Sequence, residues 1–200
     1  MLKHSEKKYV EHHGEDGSVS FYDVEVTPRN SEKYLQFQTG NLRFLDSFQF
    51  LSTSLEELVS LLLKSGKDNF VHTTAHLGTD DDIIFAKGFY PYSYVYVNSW
   101  EKFAETQLPS INKFHDKLNN EPLSAKDYLR AHDTWDRFGC ETLKDYHDHY
   151  LLTDVLLLAD VFENFRKTVL KTYGLNPLHF ITLPSLAWAM ALKHTDGQLI

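Results

Sequence analysis

A single cysteine, Cys140, is the only thiol in this 200-residue chain. An internal disulfide and any cysteine-built zinc site are therefore excluded, which fits a reducing intracellular compartment. The lone thiol reads as a small buried hydrophobe. Long apolar runs are missing as well: Leu61-Leu62-Leu63 and Val155 to Ala159 fall far short of a bilayer's thickness, and Met1-Leu2-Lys3-His4 opens no signal peptide. The expectation is a soluble, intracellular chain with no membrane partner. Basic excess is also absent, with 20 Lys and Arg against 28 Asp and Glu and a net charge of -8. That balance argues against a protein whose main task is gripping phosphate backbones by charge. It is compatible with a carboxylate-rich cleft that binds cations first and receives single strands through them, helped by aromatic stacking. No repeat, low-complexity tract, glycine-rich phosphate cradle or Gly-x-Ser-x-Gly elbow is encoded.

What is present is apolar and aromatic enough to fold, at 42% hydrophobic and 14% aromatic residues. The length suits one domain with a sizeable core. Met1 to Ser20 is polar and aperiodic, and reads as a loop or frayed start. Phe21 to Val26 alternates as a strand closed by Thr27-Pro28-Arg29-Asn30, and Tyr34 to Phe37 and Leu42 to Leu45 flank Thr39-Gly40-Asn41 as a hairpin. Ser54 and Glu57 form a capping box before a helix that Gly66 stops. Phe70 to Asp82 reads as a polar loop containing Asp80-Asp81-Asp82, and Pro91 to Val97 reads as extended. Short helices are expected over Trp100 to Glu105, capped by Asn98 or Ser99, and over Ser110 to Leu118. Ser124 opens a further helix that Gly139 ends, and Thr142 opens a long one that runs from Leu143 to about Tyr173 and stops at Gly174. Strands early and helices late make an α/β chain of α+β-like, helix-rich order.

The long helix carries the pattern of most chemical interest. Tyr150 and Asp154 lie four apart, on one helical face, among apolar neighbours. A phenol hydroxyl beside a carboxylate can hold a divalent cation and orient the water that it activates.

Four ordered words surround that pair: Asn41-Leu42-Arg43-Phe44-Leu45-Asp46-Ser47-Phe48-Gln49-Phe50, Lys87-Gly88-Phe89-Tyr90-Pro91-Tyr92, Thr153 to Glu163, and Tyr173-Gly174-Leu175-Asn176-Pro177. In this order the chain resembles protein-primed family B DNA polymerases from about Glu25 onward. The likeness is strongest to the branch carried by viruses and large self-replicating DNA transposons. The resemblance implies part of a ribonuclease H-like 3′-to-5′ exonuclease domain that lacks its first strands. Residues 21–172 would be the C-terminal part of that domain, after a polar extension over 1–20, and residues 173–200 the entry to a polymerase domain. It implies Asp154 as a metal ligand for Mg2+ or Mn2+ and Tyr150 as the residue that positions the attacking water or scissile phosphate. Ser47 and Phe48 would contact the single-stranded primer end, and Lys87 would offset phosphate charge. Primer-template DNA, deoxynucleotides and a priming terminal protein would be the partners of the parent polymerase, at the nucleus or a viral replication site.

The family's other carboxylate motifs, Asp-x-Glu and Asn-x-x-Phe-Asp, are not both found. Asp23-Val24-Glu25 has the letters of the first, which makes Asp23 and Glu25 secondary metal candidates, but no Asn-x-x-Phe-Asp follows. The expectation is a truncated copy, catalytically incomplete by itself. Two alternatives stand beside it: a non-catalytic protein-interaction remnant of a mobile element, and a stand-alone nuclease using Asp23, Glu25 and Asp154. His72 with His76, and His147 with His149, have spacings that admit zinc, but they read as exposed or capping imidazoles. Asp145, Asp148 and Asp160 read as a solvated face, Trp135 and Trp188 as core anchors, and Phe44, Phe48 and Phe50 serve equally as one buried strand face.

Overall fold

The computed structural model describes residues 6–13, 19–28, 34–78, 82–96, 99–115 and 122–195. The chain is a helix-rich α+β protein divided into two compact units, one formed by Met1–Thr53 with Asn164–Ile200, the other by Ser54–Glu163. Among the described residues no helix is long and apolar enough to cross a membrane.

The first unit holds a four-stranded antiparallel sheet in the order β1 (Glu6–His13), β2 (Val19–Pro28), β3 (Tyr34–Thr39) and β4 (Leu42–Leu45). β3 and β4 join through Gly40-Asn41, where Gly40 takes φ +53°, a conformation that two-residue hairpins require and that glycine adopts without strain. Phe37 pairs with Phe44 in register, their rings stacked at 4.4 Å. β1 corrects the expectation of an irregular start: its polar residues register with β2 from Glu6↔Val26 to His13↔Val19. Ladder pairing uses backbone groups, so a strand can form where side-chain patterning is silent.

After β4 the chain leaves the sheet. Asp46 caps a 3₁₀ turn over Ser47–Gln49, accepting from the Phe48 amide at 3.0 Å and from Gln49 Nε2 at 2.9 Å. The phenylalanines therefore do not share one buried strand face. Phe50 is buried against Phe165, while Phe44 and Phe48 are 45% and 54% exposed. The C-terminal part of this unit returns to β4, where Arg43 Nη2 donates to the carbonyls of Leu178 at 2.6 Å and Phe180 at 3.1 Å. Trp188, expected as a core anchor, is 57% exposed. Leu186 on the same helix, α7 (Leu183–His194), is the buried residue instead.

The second unit contains α1 (Leu55–Lys64), α2 (Val71–Leu77), α3 (Tyr92–Val95), α4 (Ser99–Lys102), α5 (Ala125–Arg137) and most of α6 (Leu143–Tyr173). Local caps explain three of these. Ser54 Oγ accepts from the Glu57 amide, Ser124 Oγ from the Asp127 amide, and Thr142 Oγ1 from the Asp145 amide while Asp145 returns the bond to the Thr142 amide at 2.8 Å. These bonds to Thr142 hold the Asp145 acid below its ordinary value, so this exposed carboxylate acts as a cap. Cys140 is buried as expected, in a core with Val95, Leu108, Phe114, Ala131, Leu143 and Tyr146. Burial raises its thiol to about 11. Trp135 packs against this core and stacks on Tyr146 at 5.9 Å.

Several elements differ from the sequence reading. α2 stands where a loop is expected, and α3 is helical where Tyr-Ser-Tyr-Val alternation suggests extension. Pro91 N-caps α3, its carbonyl accepting from Val95, and its ring fixes φ at a value that suits a helix start. The helix expected over 110–118 is a 3₁₀ turn over Ile111–Phe114, and its far end lies outside the described residues, as do Asp80, Asp81 and the alternative cap Asn98. Asp160 is not solvated. It is 1% exposed and accepts from the His72 amide, the Thr73 amide and Thr73 Oγ1 at 2.8, 2.8 and 2.7 Å.

Candidate functional site

Tyr150 and Asp154 sit within the second unit, on the face of α6 against which the segment from Lys87 to Tyr92 packs. The approach is close enough to need glycine at position 88, where a Cβ would lie 2.9 Å from Tyr150 Cδ2. Beyond it, the Tyr90 ring stacks on Tyr150 at 5.0 Å, and the Tyr92 hydroxyl meets the Tyr150 hydroxyl at 2.6 Å. Tyr146, one turn earlier on α6, donates to the Phe89 carbonyl at 2.5 Å and ties the same segment down. The Tyr150 ring is thus gripped on its faces and at its oxygen, leaving it little rotational freedom.

Electrostatics follow from that enclosure. Burial, first, and then the bond from Tyr92 push the Tyr150 acid far above its ordinary value, so it stays a phenol at neutral pH. Asp154 is half-buried, and desolvation raises its acid. A hydrogen bond with the Tyr150 hydroxyl and the charge of Lys87 act in the opposite direction. Asp154 Oδ1 is enclosed without a hydrogen-bond partner. Leaving such an acceptor unsatisfied costs about 1–3 kcal/mol, and uncompensated polar groups of this kind cluster at functional sites.

A pH signature follows. Because the folded chain holds the Asp154 proton more tightly than the unfolded chain, its contribution to stability is full below the unfolded carboxylate range and is lost as pH rises through the raised value. Urea melts of Asp154→Asn against the wild type should therefore shift in favour of the variant between about pH 4 and pH 7. The expected shift is about 1 kcal/mol or less, since the half-exposed group is screened by solvent. A difference that stays flat across this range would contradict the enclosure.

The structure brings together Lys87, Tyr150 and Asp154, three of the residues named from the sequence. Lys87 is partly buried, and its positive charge favours the ionised form of Asp154. Ser47 and Phe48 belong to the other unit, in the 3₁₀ turn capped by Asp46. Asp23 and Glu25 also belong there, on β2, and neither is without a partner. Among the described residues no group of three or more His, Cys, Asp or Glu side chains could hold a metal. One carboxylate does not by itself make a two-metal centre.

Two histidines depart from the exposed reading. His147 Nδ1 meets the Tyr90 hydroxyl at 2.8 Å, and His149 is half-buried, stacked on Phe138 at 3.7 Å, with burial favouring its neutral form. His72 and His76 are exposed on α2, where His76 Nδ1 donates to the His72 carbonyl at 3.0 Å. Asp148 is exposed and pairs with Lys144. Sequence reasoning missed Gly88, Tyr90 and Tyr92 as individual residues of the site. Their signal was the word Lys87 to Tyr92 itself, taken whole rather than side chain by side chain. No family model matches the chain, and neither a curated protein nor a solved structure matches it.

Proposed function

We propose that this chain is part of a protein-primed family B DNA polymerase of the viral or transposon type, and that Tyr150, Asp154 and Lys87 form one corner of its ribonuclease H-like 3′-to-5′ proofreading site. The observation that carries this reading is the half-buried Asp154 carboxylate, one oxygen enclosed and unpartnered, on the face of α6 where Tyr150 is gripped by Gly88, Tyr90 and Tyr92. An enclosed carboxylate oxygen suits a hard cation such as Mg2+ or Mn2+. Such ions, when bound, would activate water and stabilise the leaving oxygen. The chain's own share is to keep the Tyr150 proton available for a hydrogen bond to water or phosphate, and to neutralise phosphate charge with Lys87. Phe48, 54% exposed in the other unit, is a separate candidate for stacking on a single-stranded base. The remaining carboxylates of a two-metal site would come from other segments of the parent polymerase.

A second reading, a non-catalytic interaction module left from a mobile element, draws on Leu151, Leu152 and Val155, which are 53%, 42% and 56% exposed on α6. The two readings separate on a 3′-labelled single-stranded deoxyoligonucleotide offered to the purified chain with and without Mg2+ or Mn2+. The exonuclease reading expects binding that the cation strengthens, a cation response lost in Asp154→Ala, and roughly tenfold weaker binding in Lys87→Glu. Any hydrolysis should vanish in Asp154→Ala. Binding indifferent to the cation and to both substitutions would overturn it.

A further inference from the structure

Two of the most exposed side chains in the second unit are rings. Tyr96 is 89% exposed and Trp100 is 86% exposed. Large aromatics are seldom left this bare without a task, because each forfeits most of its burial free energy. Their mounting is specific. Tyr96 follows Tyr92 by one helical turn, its amide bonded to the Tyr92 carbonyl at 2.9 Å, so the two side chains share a face. Tyr92 is itself hydrogen-bonded to Tyr150. Trp100 reaches the same place by another route: its ring meets Phe103 at 6.4 Å, Phe103 meets His147 at 5.0 Å, His147 meets Tyr90 at 5.3 Å, and Tyr90 stacks on Tyr150 at 5.0 Å. Both exposed rings are thus anchored in the aromatic scaffold that holds Tyr150.

We infer that Tyr96 and Trp100 form a base-stacking platform for single-stranded nucleic acid, feeding the strand towards Tyr150 and Asp154; this rests on the exonuclease reading and extends it. Exposed planar rings suit successive bases, each of which offers a π-face whatever its sequence. Tyr92, 61% exposed on the same face as Tyr96, adds a third ring, and Ser93, Glu101 and Lys102 in the same segment are polar. Lys102 supplies a cation in the same segment, held 3.5 Å from the Tyr94 ring centroid and donating to the Tyr94 carbonyl at 2.5 Å. With a net charge of -8 on the chain, stacking rather than counterion release has to supply the affinity. If Lys87 and Lys102 are the phosphate contacts, log Kd should vary with log salt with a slope of only about 1.4.

The test is fluorescence anisotropy of a labelled oligothymidylate titrated with wild type, Tyr96→Ala, Trp100→Ala, Tyr96→Phe and Lys87→Glu. Both rings are exposed, so circular dichroism and melting of these variants should match the wild type. Trp100→Ala and Tyr96→Ala should each weaken binding by roughly 5- to 150-fold, while Tyr96→Phe keeps it. Unchanged affinity in both alanine variants would overturn the platform, and if Lys87→Glu still weakened binding the exonuclease reading would survive it. Loss in the ring variants with none in Lys87→Glu would keep the platform and remove the site it is thought to feed. No wild-type binding at about 100 μM, the weak end of non-specific affinity, would remove both and favour a protein occupant.

Discussion

Asp160→Ala should destabilise the second unit by about 3–5 kcal/mol. α2 is only seven residues long, too short to be stable alone, and its N-cap position is Phe70, which has no side chain able to accept a bond. The carboxylate of Asp160, 88 positions away in the chain from His72, does that work. It accepts from the amides of His72 and Thr73, the second and third residues of the helix, which are the donors an N-cap side chain would take. It also accepts from the Thr73 hydroxyl, and both Thr73 and Asp160 are almost fully buried. Removing the acceptor strands the Thr73 amide and hydroxyl away from water and takes the cap from the His72 amide, and a loss of this size lowers the midpoint of a chain of this length by roughly 6–20 °C. Asp148→Asn is the control. That exposed carboxylate only pairs with Lys144 across one turn, so its loss should leave the melting midpoint essentially unchanged. Hydrogen exchange at the His72 and Thr73 amides gives the local readout. An Asp160→Ala protein that melts like the wild type would show that α2 is held by other means.

Gly88→Ala should be the second most damaging change, though it adds one methyl group. The new Cβ would stand 2.9 Å from Tyr150 Cδ2 and 3.3 Å from Cε2. A flexible side chain could swing aside, but this ring is stacked on Tyr90 and hydrogen-bonded through its oxygen to Tyr92. Something in that set must move, at a cost of about 1–3 kcal/mol for overpacking. Whichever way Tyr150 yields, its hydroxyl departs from Tyr92 or from Asp154. The cation response of oligonucleotide binding should then fall along with stability. Pairing the change with Tyr150→Leu tests the cause: if the clash is with the ring, the double variant loses less than the sum of the single ones. Strict additivity would locate the damage elsewhere.

The parts of the fold that were legible in the sequence are those whose signals lie within a few residues. Thr39-Gly40-Asn41 announced the β3–β4 hairpin, Ser54 and Ser124 announced α1 and α5, and Thr142 and Gly174 bounded α6. Where the deciding partner is distant, the reading failed. α2 is capped from α6, so Val71 to Leu77 carries no start signal of its own. Asp160 reads as solvated from sequence for the same reason, since nothing near it in the chain reveals the donors that justify its burial. Tyr92-Ser93-Tyr94 alternates like a strand, yet Pro91 and the contact with Tyr150 make it helical. Within the candidate site, helical spacing put Tyr150 and Asp154 on one face and the family likeness pointed to Lys87. The fit of Gly88 against a ring 62 positions later could be seen only in three dimensions.

Arg43 bonds to carbonyls 135 and 137 positions downstream, and the unit it belongs to is assembled from the two ends of the described chain. That arrangement imposes an order on synthesis. The β1–β4 segment leaves the ribosome before its partners at Leu178 and Phe180, which appear only after all of Ser54–Glu163 has been translated, a wait on the order of ten seconds. During that interval the second unit can fold on its own contacts, while the sheet must persist with Arg43 unsatisfied and its edge strands open to other chains. A nascent chain stalled near Glu163 should accordingly recruit holdase chaperones through the β1–β4 segment, and release them once Leu178 and Phe180 have docked on Arg43.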